Sequence, residues 1–291
     1  MRKVARATAV LTLAVALSGL SPAGEAVSGP VRSEVVFAPH RAVYDLTLDG
    51  TRLGSGVSEV TGRIVYELTG SACEGYAQTM RYVTQTMTQE GEPQITDLRT
   101  SSWESVPARR LRFSSSTYQN DQQIDQTQGI AERSGSTGQV KVTLTRPAKR
   151  SHDIVTDVYF PIQHSMALIA AAREGKRTMS ADLYDGSEGG DKYYATTTAI
   201  GRQVSPGAKT TLAGLKDGDK LDRVPSWPVS IGYFKPAQGH SDGLPLYEMS
   251  YRFHENGVTS SLRIDHGEFA IKGDLKELSY LEAGKCPAEK P

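Results

Sequence analysis

Residues 160–191 read FPIQHSMALIAAAREGKRTMSADLYDGSEGGD and hold the strongest helix signal in the sequence. Pro161 stands where the first residue of a helix would be, because its fixed φ and missing N–H are harmless there. Arg173 falls in the last turn and Gly175 lies just beyond it, which is typical of a helix C-terminus. The pattern predicts one helix of about 14 residues, about 21 Å long.

This helix is apolar on most of its faces. Ile162, Met166, Ile169 and Arg173 form one stripe, and residues 166–172 read MALIAAA. A helix that is apolar all round is buried on most sides, and this one is shorter than the ~20 residues that cross a membrane. We therefore expect a core helix enclosed by β-sheet, with Ile169 fully buried.

The rest of the chain alternates with the period of a β-strand. The last hairpin is the clearest case: four apolar residues from Tyr247 to Phe253 share one face, and Asn256-Gly257 is a type I′ turn signal. Roughly 13 to 15 strands follow from alternation and turn signals. Parallel βαβ spacing does not appear, so we expect one antiparallel sheet that curls to limit its edges. Residues 206–224 are interpreted as a surface loop.

The N-terminus is predicted to be a cleavable signal peptide. Residues 1–6 hold three basic residues, residues 7–20 are apolar, and small residues allow cleavage near position 23 or 26. The apolar run is too short for a membrane anchor, so the mature chain is not expected to be an integral membrane protein. Residues 27–36 are expected to be a flexible lead-in, and residues 37–291 a single β domain in the periplasm.

Charge argues against nucleic-acid binding. The chain has a formal net charge of zero, and removing residues 1–23 or 1–26 leaves −3 or −2, since Arg2, Lys3 and Arg6 are lost, with Glu25 as well in the longer cut. Basic clusters are no longer than pairs such as Arg109-Arg110, whereas a nucleic-acid binder needs a basic face. No nucleic-acid partner is expected.

Two loops resemble sites without meeting their requirements. Gly239-His240-Ser241-Asp242-Gly243 matches the G-x-S-x-G of hydrolases, but a helix should follow it, and Leu244-Pro245 follows instead. A hydrolase is therefore a remote alternative. Residues 185–191 place oxygen ligands at alternate positions like a calcium loop, but lack the bidentate Glu and the flanking helix. An ordinary turn is favoured there.

Three residues are candidates for the lining of an interior cleft. His164 lies in the first turn of the helix, where a core histidine bonded to a neighbouring strand is favoured over a ligand or an acid–base group. Met166 and Trp227 are the candidate apolar walls, although aromatic residues in β proteins more often pack in the core. No catalytic residue, metal site or cofactor is predicted.

Several segments taken in order resemble the EipB-like family of alphaproteobacterial periplasmic proteins. The resemblance spans about residues 37–286. It is carried by Cys73-Glu-Gly-Tyr76, Phe160-Pro-Ile-Gln-His164, Ala181-Asp-Leu-Tyr-Asp-Gly186, Trp227-Pro-Val-Ser-Ile-Gly-Tyr-Phe234, Leu244-Pro-Leu-Tyr-Glu248, Glu255-Asn-Gly-Val258 and the terminal Cys286.

The resemblance implies a spiral-like, incompletely closed β-barrel of about 14 strands around a helix. It also implies a role in cell-envelope integrity, with links to tetratricopeptide-repeat envelope proteins. It further implies a disulfide between Cys73 and Cys286, the two cysteines of the chain. Such a bridge would tie the final strand to an early one, at edges that would otherwise fray.

Two functions are therefore expected from different classes. The first is a non-enzymatic envelope protein that acts through protein partners, which needs an exposed patch or a sheet edge. The second is a carrier of a lipid or another apolar envelope ligand, which needs an apolar cavity.

Overall fold

A computed structural model gives the fold and describes residues 35–134, 138–207, 212, 214–236, 243–284 and 286. Within these ranges there are fifteen strands, two α-helices and one short 3-10 turn. The strands are β1 His40–Thr51, β2 Val57–Ser71, β3 Gly75–Thr88, β4 Pro93–Glu104, β5 Arg110–Gln119, β6 Gln122–Arg133, β7 Val140–Arg146, β8 Arg150–Ile154, β9 Val158–Tyr159, β10 Thr178–Leu183, β11 Tyr194–Ile200, β12 Ser226–Phe234, β13 Tyr247–His254, β14 Thr259–Asp265 and β15 Phe269–Tyr280. The helices are α1 Pro161–Arg173 and α2 Gly218–Leu221, and the 3-10 turn is Glu188–Gly190.

All fifteen strands belong to one sheet that curls into a nearly closed barrel. Its order is β8-β7-β6-β5-β4-β3-β2-β1-β15-β14-β13-β12-β11-β10-β9. The first and last strands pair in the middle, with His40 opposite Tyr280. The prediction of an incompletely closed, antiparallel barrel around one helix is confirmed, with the exception of one strand pair. One pair, β9 with β10, is parallel, which alternation could not predict because β9 has only two residues.

The seam lies between the end strands β8 and β9, and side chains span it. Arg133 of β6 donates from Nη2 to the Val158 carbonyl of β9 at 2.7 Å. Arg150 of β8 donates to the Gly189 carbonyl at 3.0 Å and to Asp191 at 2.6 Å. An apolar cluster also joins the β5–β8 side to β9 and to the segments next to it. Packing and charged hydrogen bonds therefore hold the two edges together in place of a backbone ladder.

Helix α1 has the bounds that the sequence predicted. It begins at Pro161 and ends at Arg173, and Gly175 adopts the left-handed conformation, with φ +74°. Ile169 is 1% exposed, so its predicted burial is confirmed. The buried positions occur on several faces of the helix: Ile162, His164, Leu168, Ile169, Ala171 and Ala172. The helix therefore occupies part of the barrel interior.

The connection between β11 and β12 is not the plain surface loop that the sequence suggested. Leu221 of α2 is fully buried and Leu212 is 5% exposed, and both pack on an apolar cluster with residues of β1, β14 and β15. Asp217 accepts a hydrogen bond from the Tyr280 backbone N–H at 3.0 Å. Spaced leucines thus anchor a segment whose charged residues made it look solvated.

The N-terminal predictions fall mainly outside the described residues. The signal peptide, residues 1–26, and most of the lead-in, residues 27–36, lie there. Of the lead-in, Val35 is buried in the core and Val36 is exposed. Packing of the β domain thus starts by Val35. Among the described helices, none is long and apolar enough to cross a membrane.

Candidate functional site: an uncharged cavity inside the barrel

The interior beside helix α1 contains a cavity of about 400 Å³. Its walls come from the inner faces of β1–β4 and β12–β14, and α1 contributes Ile162 and Ser165. The lining residues are Phe37, His40, Tyr44, Ile64, Tyr66, Gln78, Met80, Tyr82, Leu98, Ile162, Ser165, Tyr233, Tyr247, Met249, Tyr251, Phe253, Gly257, Thr259, Leu262, Ile264 and His266. The helix fills one part of the barrel and leaves this volume beside the middle strands.

Strand alternation places these side chains inside. On β13, Tyr247, Met249, Tyr251 and Phe253 all line the cavity, as their shared face predicted. On β3, Gln78, Met80 and Tyr82 do the same. Side chains two residues apart project to the same face of a strand, so a single strand supplies up to four wall residues.

The wall carries no formal charge. None of the 21 lining residues is Lys, Arg, Asp or Glu, and six of them are tyrosines. Burial raises the pKa of Tyr82 to about 12 and that of Tyr251 well above its ordinary value. These two phenols therefore remain neutral at any physiological pH. Such a surface suits apolar and neutral polar groups and penalises ions.

Polar atoms gather on neighbouring strands at one end of the cavity. The Tyr66 hydroxyl donates to Gln78 Oε1 at 3.2 Å, and the His40 ring lies 5.6 Å from the Tyr66 ring. His40 is 1% exposed, and its Nδ1 contacts the Ala38 carbonyl at 2.8 Å. A carbonyl only accepts, so Nδ1 carries the hydrogen and Nε2 is an acceptor. Burial lowers the pKa of His40, which keeps the ring neutral.

The other end of the cavity reaches the surface. His266, in the turn between β14 and β15, is exposed and also lines the cavity. Ile264, next to the end of β14, is half-buried. The cavity thus has an open end beside the β14–β15 turn and a closed end at the cluster of His40, Tyr66 and Gln78.

The three residues proposed from sequence lie outside this lining. His164 is 4% exposed, and its Nε2 lies 3.3 Å from Thr196 Oγ1 of β11. Because the Thr196 hydroxyl donates to the Ala181 carbonyl, the His164 N–H is the donor to Thr196. Burial lowers the pKa of His164 to about 4. His164 is thus a neutral core histidine.

Met166 and Trp227 also pack in the core. Trp227 is 3% exposed, and Met166 packs against the same cluster, which joins α1 to β10–β13. Neither residue is part of the cavity lining, to which α1 contributes Ile162 and Ser165.

Cys73 and Cys286 form a disulfide, as the family resemblance implied. Their Cα atoms are 5.5 Å apart and 213 positions apart in sequence. The bridge joins the β2–β3 turn to the chain after β15. It does not protect free edges, as was expected, because β2, β3 and β15 are interior strands and the edges are β8 and β9.

None of the described residues of the two motif-like loops lines the cavity. Asp185 Oδ1 accepts the Ser187 N–H at 2.9 Å, an ordinary Asx turn. In the described part of the chain, no three His, Cys, Asp or Glu residues are grouped so as to hold a metal ion. Of the G-x-S-x-G segment, residues 239–242 lie outside the described residues.

Glu104 is a structurally important residue that sequence reasoning missed. It ends β4, is 2% exposed, and accepts the N–H groups of Ile162 and Gln163 at 2.8 and 2.9 Å. A helix needs acceptors for its first N–H groups, and Phe160 has no side-chain acceptor to offer. The sequence did offer one signal: the residue before Pro161 is Phe160, which cannot cap the helix, so an acceptor from elsewhere in the chain is needed.

The family model described as EipB-like matches residues 32–282. This chain belongs to the EipB-like family. It is similar to the cell envelope integrity protein EipB of Brucella abortus (strain 2308), with 35% identity over 277 residues, which cover 94% of this chain and 96% of that protein. The crystal structure of a β-barrel-like protein of unknown function from Brucella abortus matches with a TM-score of 0.75 and 34% identity, over 84% of this chain and 99% of that one.

Proposed function

We propose that this member of the EipB-like family is a non-enzymatic periplasmic protein that supports cell-envelope integrity by holding an apolar ligand in its barrel. The observation that carries the proposal is the uncharged cavity of about 400 Å³. Ligand pockets range from about 300 to 1,000 Å³ and are mainly apolar with a few polar groups. The name of the Brucella relative supports the envelope role, and the signal-peptide pattern supports export.

A binding role is favoured over a catalytic one. A nucleophile must lie beside its base and within reach of substrate. Ser260 and His254 are 2.9 Å apart, but they are 2% and 1% exposed and neither lines the cavity. The lining histidines, His40 and His266, have no described partner of this kind. Hydrolysis at Ser241 stays a remote alternative.

The test is saturable binding of a neutral hydrophobic fluorophore, N-phenyl-1-naphthylamine, to the purified disulfide-bonded protein. Met80→Trp should fill part of the cavity and weaken binding at least fivefold. Met87→Trp, on the same strand but outside the lining, is the control and should bind like the wild type. No saturable binding by folded wild type would overturn the proposal.

Docking of a protein partner is the second candidate, and the family resemblance suggests one with tetratricopeptide repeats. Leu53 is fully exposed and Leu244 is 81% exposed. Both lie in turns at the same end of the antiparallel sheet, beside the open end of the cavity. Large exposed apolar side chains mark interaction sites when they cluster. Crosslinking to such a repeat protein in the periplasm should be lost in the double variant Leu53→Glu/Leu244→Glu. Undiminished crosslinking would argue against this surface as the docking site.

A further inference from the structure

The cavity differs from a general hydrophobic pocket in how its polar groups are distributed. At the closed end, the neutral side chains of His40, Tyr66 and Gln78 stand next to each other on β1, β2 and β3. Elsewhere the wall is mainly aliphatic and aromatic, with residues such as Ile64, Leu262 and Ile264, and its other polar atoms are hydroxyl groups and the exposed His266 ring. The ligand therefore needs a small polar head and an apolar body.

The lining excludes a charged head. An ion moved from water into this cavity would find no opposite charge among the described wall residues, which include no Lys, Arg, Asp or Glu. Moving an unpaired carboxylate or ammonium into such surroundings is strongly unfavourable. His40 cannot supply the charge without being protonated, and burial lowers its pKa. Fatty acids and phosphate heads are thus disfavoured at the closed end.

The two free hydrogen-bonding positions in the cluster define the head further. His40 Nε2 is buried and has no partner among the described residues. It is an acceptor, because Nδ1 carries the ring hydrogen towards Ala38. Gln78 Oε1 accepts from Tyr66, which leaves the Gln78 amide N–H groups as donors. A head group that both donates and accepts matches this pair.

We infer that the cavity is specific for a neutral amphiphile with a hydroxyl head and an apolar chain. The hydroxyl donates to His40 Nε2 and accepts from the Gln78 amide, and the chain extends towards His266. This inference rests on the proposed function and names the ligand class for the same cavity. A buried unpartnered acceptor such as His40 Nε2 is unfavourable, so a hydroxyl that satisfies it gains affinity and fixes the orientation of the ligand.

The experiment compares 1-decanol with decanoate at pH 7.5 as displacers of N-phenyl-1-naphthylamine. The two ligands have the same number of carbon atoms and differ in head charge. Decanol should displace the fluorophore at least tenfold more effectively. His40→Phe and Gln78→Leu should each weaken decanol binding at least fivefold, and should weaken it more than they weaken binding of the fluorophore, which has no hydroxyl. Met87→Leu, on the same strand as Gln78 but outside the lining, is the control and should retain decanol binding.

The outcomes separate this inference from the proposed function. Decanoate equal to or better than decanol, or decanol binding unaffected by His40→Phe, would overturn the hydroxyl assignment while leaving the apolar cavity in place. Failure of both the fluorophore and decanol to bind folded protein would overturn the proposed function as well. Fluorophore binding by the variants also shows that they are folded.

Discussion

At the scale of single residues, Glu104 decides how helix α1 begins. Pro161 has no N–H, the next two N–H groups bond to Glu104, and the His164 N–H bonds to the Phe160 carbonyl. All four groups at the start of the helix are thereby accounted for. A strand residue 58 positions away from Ile162 supplies what a neighbouring N-cap would normally provide.

Glu104→Ala should lower the free energy of unfolding by about 2 to 4 kcal/mol, since it leaves two buried N–H groups without acceptors. Glu104→Gln keeps one acceptor and should cost less. Thr100, exposed to an intermediate degree on the same strand, gives the control Thr100→Ala, which should change little. Urea unfolding measures all three, and a Glu104→Ala protein as stable as the control would contradict this role.

Glu104 also predicts a pH dependence. Burial raises its pKa to about 7, against the opposing effects of the two N–H bonds and Arg133. Because the folded pKa exceeds the ordinary value of 4.5, the folded state binds more protons between these values. The stability contributed by protonation is therefore full below about pH 4.5 and is lost as the pH rises towards 7. The wild type minus Glu104→Gln difference in unfolding free energy should fall across that window, and a flat difference would refute the assignment.

Some of these residue-level features can be predicted from the sequence. The inward set of β13 follows from alternation because each side chain depends only on its own strand. The roles of Glu104 and Arg133 cannot be predicted in this way, because the curl of the sheet is what brings their partners close. His40 is a further case: nothing in the neighbouring sequence shows that its second ring nitrogen would be buried without a partner among the described residues.

At the scale of elements, α1 links the packed side of the barrel to the cavity. Ile169→Asp should unfold the protein or lower its melting temperature sharply, because a carboxylate would enter a site that is 1% exposed. Ala167→Asp, at a partly exposed position of the same helix, is the matched control and should be much milder. Equal melting temperatures in thermal scans would mean that α1 is peripheral.

The seam gives a second prediction at this scale. Arg133 bonds to Val158, Asp157, Gln163 and two loop carbonyls and lies over the Phe160 ring. Arg133→Ala should cost about 2 to 4 kcal/mol and speed hydrogen exchange in β8 and β9. Arg133→Lys should restore little, because lysine lacks the planar fork.

A surface ion pair between β5 and β6 provides the control for Arg133→Ala. Arg110 and Glu132 are both about half-exposed, so Arg110→Ala should change stability by less than about 1 kcal/mol. Exchange that stays slow in β8 and β9 of Arg133→Ala would mean that apolar packing alone closes the seam.

At the scale of the whole molecule, the disulfide acts on the unfolded chain. In the chain-entropy model a loop of this length is worth at most about 5 kcal/mol. Cys73→Ser and Cys286→Ser should lower the melting temperature by similar amounts, and the double variant should add little. Additive losses, or two reactive thiols in denatured, unreduced protein from periplasm, would contradict the pairing.

The architecture was predictable to the extent that it depends on local pattern. Alternation predicted the strands and the caps predicted α1, and a sheet of so many strands has to curl. The cavity was not predictable, because its volume is the difference between the barrel interior and what α1 fills. Trp227 illustrates the limit: its strand was identified, but the side of the helix on which it packs was not.

The most direct test of the central claim, that the barrel holds a neutral apolar ligand, is native mass spectrometry of protein purified from periplasm without detergent. We expect a non-covalent adduct of one small uncharged molecule per disulfide-bonded chain, absent from Met80→Trp and retained by Met87→Trp. A ligand-free mass for wild type, or an adduct that Met80→Trp retains in full, would contradict it.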